Sequence, residues 1–159
     1  MASFNDVGGT PSHANRWLLT TVLRDRWGFD GVLVSDWSGI NELVAHGVAA
    51  GRGEAAARAM DAGVDVDMSD DVYADSLAAL VRAGRVPQAA VDRAARRVLL
   101  AKARLGLFDD PTRGATAARE RAAILAPAHR ALARRLARES IVLLENRANT
   151  LPLSKAVRS

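Results

Sequence analysis

The sequence predicts an α/β fold built on parallel strands. Three observations carry that expectation. Short apolar runs that read as strands alternate with longer segments of helical period. The first strand candidates have near-continuous apolar centres, as strands buried on both faces do. They also end in polar residues, and successive parallel strands need right-handed helical crossovers of the kind the intervening segments supply.

The elements follow in order. Residues 1–5 read as the end of a short strand, and Gly8-Gly9-Thr10-Pro11 as a turn cluster. Residues 13–27 read as a helix with Trp17, Leu18, Thr21 and Val22 on its apolar face and Gly28 as its stop. Residues 31–35 are a Val- and Leu-rich strand, and 39–46 a short helix ending near Gly47. Residues 53–62 form a helix closed by Gly63, and 64–68 a third strand. From Asp71 to Ala83 the helical period returns, with Leu77, Leu80 and Val81 on one face. Pro87 opens a helix where its missing N–H costs little. That helix runs to about Arg104 with Val91, Ala95, Val98, Leu99 and Ala103 as its stripe. A helix over 116–138 is expected to break near Pro127, and Ser140 to Leu144 reads as a last strand.

Composition narrows the possibilities. The chain has 159 residues, 49% hydrophobic and 25% charged, which is the range of a folded domain with a core. The absence of cysteine excludes disulfides and thiolate metal sites but leaves the redox compartment undecided. No apolar run approaches the roughly 20 residues that span a bilayer. The first residues, MASFNDVGGTP, lack the basic and apolar segments of a signal peptide. Within the net charge of +4, residues 92–138 hold 12 Lys or Arg against four acids. A non-catalytic, Arg-rich helical module binding an acidic partner is one reading of that block. Its basic residues are interleaved with Ala and Leu at helical spacing and lack an aromatic stacking platform. They therefore read as solvated helix faces, with neither nucleic acid nor membrane as partner.

The stretch GFDGVLVSDWSG, residues 28–39, places a carboxylate and an indole at the end of an apolar strand. Ligands of parallel α/β folds bind beyond the carboxyl ends of the strands. Three strands end here in functional groups: Phe4-Asn5-Asp6, Ser35-Asp36-Trp37 and Asp67-Met68-Ser69. If the strands are neighbours, these groups share one mouth. Carboxylate beside aromatic suits a sugar, whose C–H face packs on an indole. A carboxylate there can attack an anomeric carbon while a second serves as acid and base. By spacing alone, Asp36 reads as well as an N-cap of the next helix or a salt-bridged loop acid.

The segment WLLTTVLRDRWGFDGVLVSDWSGINELVAHGVA resembles the nucleophile segment of glycoside hydrolase family 3, the family of β-glucosidases and β-xylosidases. The likeness continues in the family's order. MASFNDVGGTPSHAN resembles the preceding barrel strand and loop, and AGVDVDMSDDVY the last barrel strand. RRVLLAKARLGLFDDP resembles the helix leaving the barrel, and ARESIVLLENRANTLPL the start of the following α/β sandwich domain.

The resemblance implies a partial (β/α)8 TIM-type barrel, its last strands and helices, plus the first strand of that sandwich. Residues 1–108 would be barrel, 109–126 linker and 127–159 sandwich. It implies Asp36 as nucleophile, with Trp37, Met68, Ser69 and Phe4 at the substrate. Phe4 stands where many relatives carry Tyr or another bulky group. It implies no metal and no organic cofactor, and a β-linked glucoside or short oligosaccharide as substrate, a β-xyloside being the alternative. It places the whole enzyme in the periplasm or outside the cell. The acid/base is expected beyond Ser159. Glu42 and Glu54 read as helix-surface acids and Glu145 as a strand-exit residue. His13 and His46 do not sit in the loop motif by which one branch of the family supplies a histidine. A complete barrel needs about 250 residues. The rest of the barrel and sandwich is therefore the expected partner, and the isolated chain is expected to be inactive.

Overall fold

The computed structural model describes residues 1–156, and these divide after Arg113 into two compact units.

The first unit opens with a hairpin. Strand β1 (Asp6–Val7) pairs antiparallel with β2 (Thr10–Pro11), Asp6 opposite Pro11 and Val7 opposite Thr10. The two residues between them, Gly8 and Gly9, have φ of +63° and +78°. A two-residue turn with both φ positive matches the twist of the strands it joins, which is why glycines stand there. The expected strand over residues 1–5 is therefore replaced by this hairpin. Ala2 still lies beside the next strand, its N–H donating to Val34 O at 2.9 Å.

The helix expected over 13–27 is divided. A single 3-10 turn, Ser12–Ala14, precedes a π-wound helix, Trp17–Arg26. Asn15 separates them. Its Oδ1 accepts the Leu18 N–H at 3.0 Å and its Nδ2 donates to Val7 O at 2.9 Å, tying the helix start to the hairpin. A π-helix bonds to the fifth residue, so a stripe of 3.6-residue period drifts out of phase. Only Leu19 of this helix is buried, and Trp17 faces outward.

Strand β3 (Val34–Trp37) and strand β4 (Val66–Met68) form the parallel pair, each starting later than the sequence pattern indicates. Between them come helices α1 (Glu42–Ala45) and α2 (Arg52–Ala62). Helices α3 (Val72–Arg82) and α4 (Gln88–Arg104) follow β4. The alanines of α2, Ala55, Ala56, Ala59 and Ala62, are buried, and small side chains let neighbouring elements approach closely. Ile40, Leu43, Val64 and Val72 complete the core around them. Tyr73, at the start of α3, is buried and donates its hydroxyl to Val64 O at 2.9 Å. Helix α4 buries Ala90 and Ala94, while Leu99 of the expected stripe is exposed.

The amino-terminal end of the strand pair is held by one carboxylate. Asp65 is buried and accepts from the Leu33 N–H at 2.9 Å, from Arg24 at 2.7 Å and from Arg97 at 2.8 Å. It thus ties β3 and β4 to the π-helix and to α4. Burial lowers the pKa of Arg24; the Asp65 charge pulls it back up and Arg97 pushes it further down.

In the second unit, α5 (Ala117–Ala123) is capped by Thr116, whose hydroxyl accepts the Arg119 N–H at 3.2 Å. Helix α6 (Pro127–Glu139) begins at the proline expected to break the helical run. The strand expected from Ser140 to Leu144 does not form. This stretch is irregular and exposed, and none of the described residues offers it a ladder partner, without which an extended segment is not a strand.

Candidate active site

The site starts with an irregularity in the parallel pair. Val34 is opposite Val66 and Trp37 is opposite Met68, so β3 has one residue more than β4 between the same two registers. Such a bulge bends its strand, re-aims a side chain and leaves ladder groups without their regular partners. Two side chains replace what the ladder loses. Ser35, fully buried, accepts the Met68 N–H on its Oγ at 2.8 Å. His13, 1% exposed, accepts the Asp36 N–H on its Nε2 at 3.0 Å.

Asp36 is the residue the bulge presents. Its carboxylate accepts the Trp37 N–H at 2.7 Å. It has no ion-pair partner among the described residues and caps no helix; the first turn of α1 bonds instead to the Ser38 carbonyl through the Glu42 N–H. The Asp36 carbonyl accepts the Gly39 N–H at 3.0 Å, turning the chain sharply after the strand. Gly39 leaves space for His13: a Cβ at that position would run into Nε2, Cε1 and Cδ2 of the imidazole. On another side of His13 lies Phe4, its ring centroid 5.6 Å away at 54°.

Trp37 is 65% exposed and sits opposite Met68. Ser38 links the strand ends, its N–H donating to Met68 O at 3.2 Å and its hydroxyl to Asp70 Oδ1 at 2.7 Å. Ser69 is exposed with φ of +84°, and Ser38 and Asp71 also have positive φ, +60° and +55°. Backbone strain at non-glycine residues is often found at functional sites; three of the five such residues among those described lie at the carboxyl ends of the two strands, Leu125 and Asn149 being in the second unit. Asp67 and Asp70 each keep one buried carboxylate oxygen without a partner among the described residues. Among those residues no group of three His, Asp or Glu is placed to hold a metal ion.

Residues 1–101 match the family described as the glycosyl hydrolase family 3 N-terminal domain. The chain belongs to this family. It is 44% identical to a periplasmic β-glucosidase of Salmonella typhimurium over 98% of its own length and 21% of that protein's. It is 41% identical to a putative β-xylosidase of Formosa agariphila, covering 98% of this chain and 20% of the relative. A β-glucosidase from Listeria innocua, solved in complex with glucose, superimposes with a TM-score of 0.76 at 42% identity, over 96% of this chain and 21% of that one. The chain thus spans about a fifth of the length of these family 3 relatives.

The family 3 chain brings Asp36, Trp37 and Met68 to the carboxyl ends of two paired strands, with Ser69 next along β4's exit. Phe4 joins them through His13 and not from a strand end. The glutamates stand elsewhere in bonding terms. Glu54 accepts the Ala50 N–H at 2.9 Å and pairs with Arg58; the N–H first and the guanidinium second lower its pKa. Glu42 lies 3.9 Å from His46 one turn on, and Glu145 pairs with Arg147. Sequence reasoning did not find His13 or Ser35 as supports of Asp36. The available signal was the glycine at 39, which marks a close approach of something to the backbone.

Proposed function

We propose that this chain is the nucleophile-bearing part of a retaining β-glycosidase, with Asp36 as the nucleophile. The observation that carries the reading is the placement of Asp36. Its carboxylate is free of any ion pair among the described residues, lies beside an exposed indole, and stands at the carboxyl end of a parallel strand whose main chain is pinned by His13. A carboxylate in that position attacks the anomeric carbon, forming a C–O ester bond as the glycosidic C–O bond breaks. The departing oxygen takes a proton from a general acid. Water, deprotonated by the same group, then attacks the anomeric carbon and releases Asp36 as carboxylate. The acid/base is proposed to lie outside residues 1–159.

Trp37 offers an apolar face to the sugar ring, and Met68, Ser69 and Phe4 line the same end. The proposed setting is the last part of a (β/α)8 barrel over 1–108, a linker over 109–126 and the start of a sandwich domain over 127–159. Supporting it are the parallel pair, the division of the chain after Arg113 and the share of the relatives that the chain spans. The remainder of barrel and sandwich is the proposed partner. A terminal β-D-glucoside is the favoured substrate and a periplasmic location the favoured site, on the likeness to the Salmonella protein. The 41% identity to a putative β-xylosidase keeps a β-xyloside as the second reading.

The test begins with the coding sequence on either side of this stretch, followed by assay of the full reading frame on aryl β-glucosides and β-xylosides. Turnover, with a fluorinated glycoside trapped on Asp36, is the expected result. Trapping on another residue would overturn the assignment.

A further inference from the structure

We propose that His13 is a positioning residue for Asp36: a neutral imidazole whose Nε2 accepts the Asp36 N–H and so fixes the main chain from which the carboxylate projects. The inference rests on the reading of Asp36 as nucleophile.

The chemistry of the bond sets the state of the ring. A backbone amide only donates, so the Nε2 that faces the Asp36 N–H at 3.0 Å must bring a lone pair, and the ring proton resides on Nδ1. A protonated imidazole would set two donors against each other and lose the bond. The bulge gives the bond its purpose. Two β3 residues face one β4 residue there, and an amide in such a step has no regular ladder acceptor. Buried N–H groups rarely go unpaired, and His13 supplies the acceptor from outside the sheet.

The surroundings leave the ring little choice of position. Gly39 has no Cβ where the imidazole lies, Phe4 packs at 5.6 Å, and the residue is 1% exposed. The charged or titratable groups acting on it are Asp36 of β3, which favours protonation, and His46 at the end of α1, which opposes it; burial opposes it more strongly than either acts. The ring makes its contact with the backbone of Asp36. It therefore acts on the nucleophile's orientation and takes no proton in the displacement itself. A carboxylate that must meet an anomeric carbon within a fraction of an ångström benefits from such a fixed base.

The experiment uses the 159-residue chain labelled with 15N, as wild type, His13→Gln and His13→Leu. Glutamine keeps an acceptor near the Nε2 position; leucine keeps bulk without one. The expected wild-type spectrum shows His13 with a protonated Nδ1 and an unprotonated Nε2, and a slowly exchanging Asp36 amide. In His13→Leu the Asp36 amide should exchange at least about tenfold faster, while the Asp65 and Val66 amides, bonded to Leu33 O, stay slow. His13→Gln should restore most of the protection. A wild-type Nε2 that carries the proton, or an Asp36 amide indifferent to leucine, would overturn the anchor. If the leucine variant does not fold, the wild-type tautomer and the glutamine variant decide. Trapping with a fluorinated glucoside, in the form that turns over an aryl glucoside, separates the two claims. Label on a residue other than Asp36 would remove the catalytic role of the anchor even where the hydrogen bond is present. Label on Asp36, with slower labelling in His13→Leu and recovery in His13→Gln, supports both.

Discussion

The imidazole of His13 occupies the space that any side chain at Gly39 would need. The glycine that follows the strand is thus tied to the nucleophile candidate through a third residue. Gly39→Ala should push the ring off the Asp36 N–H. Overpacking a buried contact costs about 1–3 kcal/mol, read as a lowered urea midpoint. The same substitution in a His13→Ala background should cost less, because the clash is gone. Equal costs in both backgrounds would show that the glycine serves another purpose.

His13 makes stability depend on pH in a defined direction. Burial holds its pKa below the ordinary histidine value of about 6.5, the Asp36 charge opposes that shift and His46 adds to it. Between the lowered value and about 6.5 the unfolded chain binds a proton that the folded chain does not, so acid favours unfolding there. The contribution is complete above about pH 6.5 and is lost as the pH falls toward the lowered value. Unfolding free energies measured from pH 8 to pH 5 should fall more steeply in wild type than in His13→Gln.

Much of the site was legible because strand ends are legible. A Val-rich run halted by Ser-Asp-Trp marks the strand and its end, and the parallel pairing follows from the helices that separate the runs; the role of Asp36 comes from the family resemblance, since spacing alone leaves it equally readable as a helix cap or a loop acid. The bulge was not legible. It lies between Val34 and Trp37, at Ser35 and Asp36, where the apolar run has already ended and there is no residue pattern for an extra position to interrupt. His13 was invisible for a related reason: it acts from a 3-10 turn at a distance of 23 positions from Asp36, and no periodicity links the two. The π-helix defeated the apolar stripe drawn through Trp17, since that stripe assumed 3.6 residues per turn. The missing strand at Ser140–Leu144 shows the limit from the other side. Apolar β-formers nominate a strand, but only a partner's hydrogen bonds make one.

Ser35→Ala should destabilise the protein more than a serine-to-alanine change at the surface. The hydroxyl is fully buried and accepts the Met68 N–H at 2.8 Å. Removing it leaves a buried donor unpaired at a cost of about 1–3 kcal/mol. A drop in Tm is expected, together with faster exchange of the Met68 amide. An unchanged Met68 amide would mean that the bulge closes by other means.

Asp65→Ala should be among the most damaging single changes to this chain. It would leave Arg24, whose side chain is 8% exposed, and the partly buried Arg97 without their carboxylate, and the Leu33 N–H without its acceptor. Removing one partner of a buried ion pair costs about 3–5 kcal/mol, a large share of the roughly 5–15 kcal/mol that holds an ordinary domain folded. Expression in the soluble fraction and a circular dichroism melt would show it. A melt within a few degrees of wild type would mean that water reaches this cluster.

Asp36→Asn separates chemistry from folding. The amide oxygen of asparagine can still accept the Trp37 N–H, the only hydrogen bond to the Asp36 carboxylate among the described residues. The backbone N–H to His13 is untouched. The melt should therefore move by the equivalent of no more than about 0.5 kcal/mol. An amide oxygen is a far poorer nucleophile than a carboxylate, and loss of a catalytic group commonly lowers kcat on the order of 10⁴-fold. In the full reading frame, aryl glucoside turnover should fall by about that much with KM little changed. The two readouts must diverge for Asp36 to be the nucleophile: a large loss of rate on an intact fold. A loss of both together would make Asp36 a structural acid, and retention of both would move the chemistry to another carboxylate.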